Sequence, residues 1–375
     1  FVNYRVNKSL FPNLSFWENK SLSFSNYYST ATSTLMVVGD LMYGGMFQYE
    51  ICEDMNVIPK KYYYEKSLFD ILKEQGYETK ALYYPDAGDG KSAQKRKLVG
   101  FQSDLDITLD YEEYISEINR ILKKEKPFAL MLCNTISNVS LNHYIQNLYF
   151  ESGLDRWKKG YEFIDSCIGE IIKLLCEEGL MKNTTIIFYG DHGDDYFTHG
   201  NHEGLTHAIE PYANLIHTPF WIYDNRLVEN GECKDLICTI DIKNIVEMLL
   251  KMPDIRFSWH DLHIPLQKYV FARNAYAAQP ERSGSFNKGY CVVDGKFLLM
   301  ASNNGLELYD IEMDVECHNN LLNYFIYKDK LLHLNQELNS TMRFHYRYIF
   351  NMNTIRQIRQ VFYYYRERLY EEVQK

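Results

Sequence analysis

Asp191 and His192 stand side by side where a β-branched and aromatic run, residues 184–189, gives way to a turn flanked by Gly190 and Gly193. A carboxylate and an imidazole at the C-terminal end of a buried strand suit a divalent metal, because oxygen and nitrogen donors converge there without backbone in the way. Open α/β sheets hold their ligands at that edge. The next residues extend the same chemistry. Asp194, Asp195, His199, His202 and His207 follow, and five of the eleven histidines fall between positions 192 and 217. His202 and His207 are candidates for contact with a substrate or leaving group, or ordinary loop positions. A polar loop after a core strand would explain an Asp-His pair alone; the surrounding residues argue for more. A second reactive stretch, residues 29–34, reads Ser-Thr-Ala-Thr-Ser-Thr before an apolar run. Such hydroxyls cap a helix N-terminus, and the free N–H groups of that terminus bind anionic groups.

Alternating segments must position these residues. Residues 65–75 read as an amphipathic helix stopped by Gly76, 80–84 as a strand, 111–124 as a helix, and 128–133 as a strand after Pro127. A long helix over 154–178 carries Ile168, Ile171, Ile172 and Leu175 on one face and closes at Gly179, and strands follow at 186–189 and 220–223. This rhythm predicts an α/β fold with a mostly parallel central sheet flanked by helices. After residue 255 short strands are expected at 269–271, 289–293 and 296–300, the last two joined by the turn Asp294-Gly295. The reading divides the chain into an α/β catalytic domain (1–254), a smaller C-terminal α+β subdomain (255–330) and a helical, aromatic tail (331–375) expected to pack on the protein's own body, with a membrane surface or a partner as the alternative.

Bulk properties narrow the classes of partner. A net charge of -10 over 375 residues argues against nucleic acid. No run approaches the length of a membrane span. The chain begins at Phe1 rather than Met, so an anchor or export signal upstream of residue 1 is an expectation. The eight cysteines form no CxxC pair and read as buried free thiols. Abundant Tyr, Asn, Lys and Ile suggest a bacterial source.

Two blocks resemble the alkaline phosphatase/sulfatase superfamily, in particular its sulfatase and phosphoethanolamine or phosphoglycerol transferase branches. One runs from Tyr161, Asp165, Ile168, Gly169, Ile171 and Ile172 through Leu175, Gly179, Asn183 and Thr184 to the Gly-Asp-His-Gly turn. The other is Leu306-Glu307-Leu308-Tyr309-Asp310 with Asp314, Glu316, Asn320 and Leu321. The resemblance covers residues 10–325. The family's nucleophile follows a stretch similar to Phe24-Ser25-Asn26-Tyr27-Tyr28; eight positions from Asn26 and ten before Gly44 both reach Thr34, with Thr32 and Ser33 as runners-up. Sulfatases use a formylglycine made from Cys or Ser in a Cys/Ser-x-Pro-x-Arg motif. Thr34-Leu35-Met36-Val37-Val38 lacks both the Pro and the Arg. Threonine is the nucleophile of the phosphoethanolamine transferases.

The resemblance therefore implies a divalent metal, Zn²⁺ first and Mn²⁺, Ca²⁺ or Mg²⁺ as alternatives. Asp191, His192 and Thr34 would hold it, with His199 as a fourth candidate and a further carboxylate on a first strand ahead of Phe1. A second-metal element would fall at 136–140, where Val139 replaces the expected His. The implied activity moves a phosphoethanolamine or phosphoglycerol-type group from a small-molecule or lipid phosphoester donor to a glycan or lipid acceptor. Hydrolysis of sulfuric or phosphoric esters is the alternative, and an inactive binding protein on the same fold is another. The transferase relatives are membrane-anchored, so an extracytoplasmic catalytic domain of the cell envelope is expected, with a cytoplasmic location as the alternative.

Overall fold

The computed structural model describes residues 11–46, 49–51, 57–59, 66–84, 105–107, 111–134, 153–196, 198–199, 205–207, 209–252, 254–274, 289–302 and 305–345. Helix α1 (Pro12–Glu18) opens with Pro at its first turn, where the missing N–H costs nothing. Its remaining N-terminal donors go to Asp165, which accepts from Asn13 N at 3.1 Å and Leu14 N at 2.7 Å. Strand β1 (Leu22–Tyr28) follows, then α2 (Thr34–Tyr43), which ends at Gly44 in the left-handed region with φ 65°. A ribbon of β2 (Tyr49–Ile51) and β3 (Val57–Pro59) precedes α3 (Leu68–Glu74), whose Ser67 and Asp70 form a reciprocal capping box.

A three-stranded parallel sheet comes next, in the order β5-β4-β6, from β4 (Glu78–Tyr84), β5 (Leu105–Ile107) and β6 (Phe128–Asn134). Helices α4 (Tyr111–Leu122) and α5 (Gly153–Glu177) cover one face, where Leu82 and Tyr84 pack with Tyr114, Ile118 and Leu175. On the other face Ala81 and Tyr83 join the largest core, beside Phe24, Tyr27, Val37 and Phe220. Burial on both faces explains the near-continuous apolar texture of these strands.

The site-bearing sheet has the order β11-β1-β10-β7, with β7 (Ile186–Tyr189), β10 (Phe220–Tyr223) and β11 (Gly231–Cys238). Strand β1 runs parallel to β11 but antiparallel to β10, and β10 is antiparallel to β7. The mostly parallel sheet expected from the sequence is thus corrected to a mixed one. The reason lies between β7 and β10: the only helix described there, α6 (Ala213–Ile216), is a single turn. A parallel return needs a crossover element, whereas a loop lets the chain come straight back. Side chains alternate across β10, so Phe220 and Ile222 face the large core while Trp221 meets Phe11, Leu14 and Phe188.

After α7 (Asp241–Leu250) the chain forms an antiparallel meander of β12 (Val270–Arg273), β13 (Gly289–Val293), β14 (Phe297–Ser302) and β15 (Gly305–Asp310). The hairpin turn at Asp294-Gly295 is present, with Gly295 at φ 92°. One face packs Val292, Leu299 and Leu308 against Leu331, Leu334 and Leu338 of α8 (Lys328–His345). The other sets Cys291, Val293, Leu298 and Met300 against Tyr28, Ala213, Leu215 and Ile216. The small sheet therefore leans directly on the loop that follows β7. Asn320 of the second sequence block ties the end of β15 down, its Oδ1 accepting from Leu308 N at 3.1 Å and Leu322 N at 3.0 Å.

The seven described cysteines are free thiols, four of them buried. Helix α8 reaches His345, and the aromatic tail beyond it lies outside the described residues. The expectation of a membrane anchor is corrected for the described residues: among them, no helix is long and apolar enough to cross a membrane.

His217 gives this fold a pH dependence. Its ring stacks on Tyr28 with centroids 4.5 Å apart, and Nε2 lies 2.8 Å from the Ser25 carbonyl. Burial pulls its pKa down from 6.5 to about 4, against the pull of that hydrogen bond. The unfolded chain therefore binds the proton first as pH falls. Stability from the neutral imidazole is complete above about 6.5 and lost between there and about 4, on the order of 3 kcal/mol. Urea unfolding of wild type and His217→Gln at pH 7 and 4.5 should show a smaller acid loss in the variant; equal losses would remove His217 from the account.

Candidate active site

The hydroxyl-rich turn after β1 does not expose its hydroxyls equally. Thr30 Oγ1 donates to Asp40 at 2.5 Å, Ser29 Oγ to the Ala31 carbonyl at 2.9 Å, and Thr32 Oγ1 to the Ile209 carbonyl at 3.0 Å. All three side chains are buried. Ser33 is the N-cap residue of α2 but makes no side-chain cap bond. Thr34 opens the helix, and its Oγ1 lies 3.2 Å from His192 Nε2. Of the three threonine and serine candidates, Thr34 is the one whose hydroxyl meets the Asp-His pair.

His192 is oriented from behind. Its Nδ1 donates to the Gly193 carbonyl at 2.8 Å, which leaves the Nε2 lone pair facing Thr34. Asp191 accepts from His192 N at 3.0 Å and holds its second carboxylate oxygen 3.6 Å from Nε2. Two donors that close can share one cation. The chemistry of this N and O set, with a hydroxyl beside it, suits a divalent ion. Among the described residues, no group of three or more His, Cys, Asp or Glu assembles that could hold one.

The other histidines divide. His207 stacks on His192 with centroids 4.7 Å apart, and its Nδ1 is 3.0 Å from Asp194. Burial lowers its pKa, but the hydrogen bond and charge of Asp194 more than offset this, so the net shift is upward. His199 packs beside Tyr212, which belongs to the core shared with the small sheet. Its Nδ1 bonds the fully buried Asp195 at 3.0 Å, and its ring stacks on Tyr212 at 3.5 Å. It lies 6.1 Å from His318, ring to ring. His202, and residues 136–143 with Val139 and His143, lie outside the described residues. Lys296 pairs with Asp310 and Glu312 at the surface.

Sequence reading missed Asp40, Asn214 and Arg273, which with Asp195 hold the site. Asp195 gathers the loop, accepting from His199 N at 3.3 Å and Asn214 Nδ2 at 3.2 Å. Arg273 of β12 makes a bidentate pair with Asp40 of α2, at 2.7 and 2.8 Å. A buried charge on an otherwise apolar helix was the available signal for Asp40; nothing local marks Arg273 as its partner.

Gly193 is required by close approach rather than by its φ. A Cβ there would sit 2.1 Å from the Asn214 carbonyl oxygen. Its N–H also donates to the Leu215 carbonyl at 2.8 Å, so the loop is pressed against α6. Gly193→Ala should cost about 1–3 kcal/mol through overpacking, read by chemical denaturation. Unchanged stability would show that the loop yields freely.

Comparison with known proteins adds three findings. The sulfatase family profile matches residues 3–242 of this chain. An arylsulfatase of Clostridium perfringens is 28% identical over 204 residues, a match covering 52% of this chain and 42% of that protein's length. Among solved structures, a 2-O glycosaminoglycan sulfatase superposes with a TM-score of 0.67 at 15% identity, covering 88% of this chain and 86% of the other. A second, solved with its substrate D-glucosamine-2-N,6-O-disulfate, gives 0.60 at 14% identity, covering 89% and 92%. At such identities the superpositions speak for the fold. The phosphoester donor inferred from Thr34 is corrected here: the substrate in that similar structure is a sulfated sugar, not a phosphoester. One side chain, threonine for cysteine or serine, was too little to assign the transferred group.

Proposed function

This chain belongs to the sulfatase family, and from that premise we propose that it hydrolyses sulfuric esters of a glycan, with Thr34 as the nucleophile. The observation that carries the proposal is the Thr34 Oγ1 to His192 Nε2 contact of 3.2 Å, beside Asp191 at the start of a helix. The substrate class rests on the sulfated amino sugar and the glycosaminoglycan sulfatase among the similar structures.

Thr34 cannot become formylglycine, so its own oxygen must attack. As the Thr34 oxygen bonds to sulfur its proton passes to solvent, from which His207 later regains its own, and the sulfur–oxygen bond to the sugar breaks. The departing oxygen takes a proton from His207, which Asp194 keeps protonated more readily than usual. Water then attacks sulfur, hydrogen sulfate leaves, and the threonine hydroxyl is restored. The α2 N-terminus directs its free N–H groups at the sulfuryl oxygens. We further propose that Asp191, His192 and Thr34 hold a divalent cation; such an ion would acidify the hydroxyl and neutralise sulfuryl charge.

Two measurements test this. Wild-type protein should release sulfate from an aryl sulfate and from a sulfated glucosamine, and Thr34→Ala should lose at least about 10³-fold in kcat. Release of phosphate from an aryl phosphate without any release of sulfate would overturn the assignment. Elemental analysis of wild type should find a divalent metal that Asp191→Asn loses; equal metal in both would remove Asp191 from the site.

A further inference from the structure

The four-residue strand β12 ends in a residue that touches the nucleophile's turn in several ways. Arg273 N donates to the Thr30 carbonyl at 3.1 Å, and the Arg273 carbonyl accepts from Thr32 N at 3.2 Å. Ala31 and Arg273 thereby form a parallel bridge, so the turn joins the edge of the small sheet. The guanidinium adds a bond to the Thr30 carbonyl at 3.0 Å and the two-pronged contact with Asp40. Asp40 lies on α2, six positions after Thr34, and also accepts from Thr30 Oγ1 at 2.5 Å. Asp40 and Arg273 are 0% and 1% exposed.

These contacts clamp two parts of one reacting element. The turn fixes where the chain enters α2, and Asp40 fixes the rotation of α2 about its own axis. Thr34 sits at the joint. A planar guanidinium that bonds both sides at once leaves that joint little freedom, because its donors lie in a fixed fork. A lysine would carry the charge without the fork.

We propose that Arg273 and Asp40 are positioning residues for Thr34: through them the small C-terminal sheet sets the distance and direction of the Thr34 hydroxyl relative to His192. This rests on the reading of Thr34 as the nucleophile. A pair that merely stabilised the fold could be replaced by apolar side chains of similar size without loss of rate, since buried ion pairs are often no more stabilising than such replacements. A positioning pair could not. Misplacing a reacting group by about 1 Å costs on the order of 10²-fold.

The test uses Arg273→Lys and the double variant Asp40→Leu/Arg273→Met. Both should melt close to wild type and keep KM within about two-fold, while kcat falls roughly 30- to 100-fold. In a crystal structure of the double variant, Thr34 Oγ1 should have left hydrogen-bond range of His192 Nε2. This distance reads the geometry without turnover, so the proposal stands or falls even if wild type hydrolyses no sulfate ester. Wild-type kcat in a folded variant, or an unmoved Thr34, would overturn it. Failure of both variants to fold would overturn it too, because the pair would then be a folding requirement.

Discussion

The buried pair between Asp40 and Arg273 joins the two halves of this molecule at the point where its chemistry begins. Asp40 belongs to the helix that carries Thr34, and Arg273 to the last residue of a strand in the small sheet. Burying two opposite charges gains little net stability, because desolvation offsets most of their attraction; removing one partner alone typically costs about 3–5 kcal/mol. The pair is therefore a weak source of stability and a strong constraint. It tolerates one relative placement of turn, helix and sheet, and that placement puts the Thr34 hydroxyl against His192.

The second support comes from the loop after β7. Gly193 allows the backbone to lie against the carbonyl of Asn214, Asp195 gathers the His199 backbone and Asn214, and Thr218 Oγ1 donates to the Gly190 carbonyl at 2.7 Å. Each contact replaces solvent at a polar group that the fold has buried, which is the condition for burial at all. Cys291, Val293 and Met300 of the small sheet close over Ala213, Leu215 and Ile216 from the far side. The loop is thus held by polar contacts within and apolar packing behind. His192, fixed through its Nδ1, presents one nitrogen to the site and no alternative.

His199 is set by partners that its spacing does not show. Lying among acidic and histidine residues, it reads as a metal or substrate ligand; its ring lies flat on Tyr212 and its Nδ1 bonds Asp195. Its neighbourhood is the interface with β15, where Glu307 sits half-buried with its carboxyl pKa raised by burial. The histidine that does lie beside His192 is His207, brought back across the β8 (Asp195–Tyr196) and β9 (Leu205–Thr206) ribbon.

Much of this protein was written in local pattern. Apolar periodicity and Gly or Pro punctuation marked α5, β6, β7, β10 and the β13–β14 hairpin to within a few residues, because burial of one face or both leaves that trace in any short window. The spacings of the resembled family pointed to Thr34, and the end of a β-branched run before a glycine turn pointed to Asp191 and His192. The direction of β10 was not legible, because it depends on whether the connecting chain crosses the sheet or folds back. Nor was the choice among Thr32, Ser33 and Thr34 decided by their side chains, each of which carries a hydroxyl. Only the tertiary structure separates them: the Ile209 carbonyl takes the Thr32 hydroxyl, Ser33 makes no cap bond, and His192 meets Thr34. The partners of Thr32 and Thr34 come from 177 and 158 positions away, and no reading of a short window contains a contact that the folded chain makes across such distances.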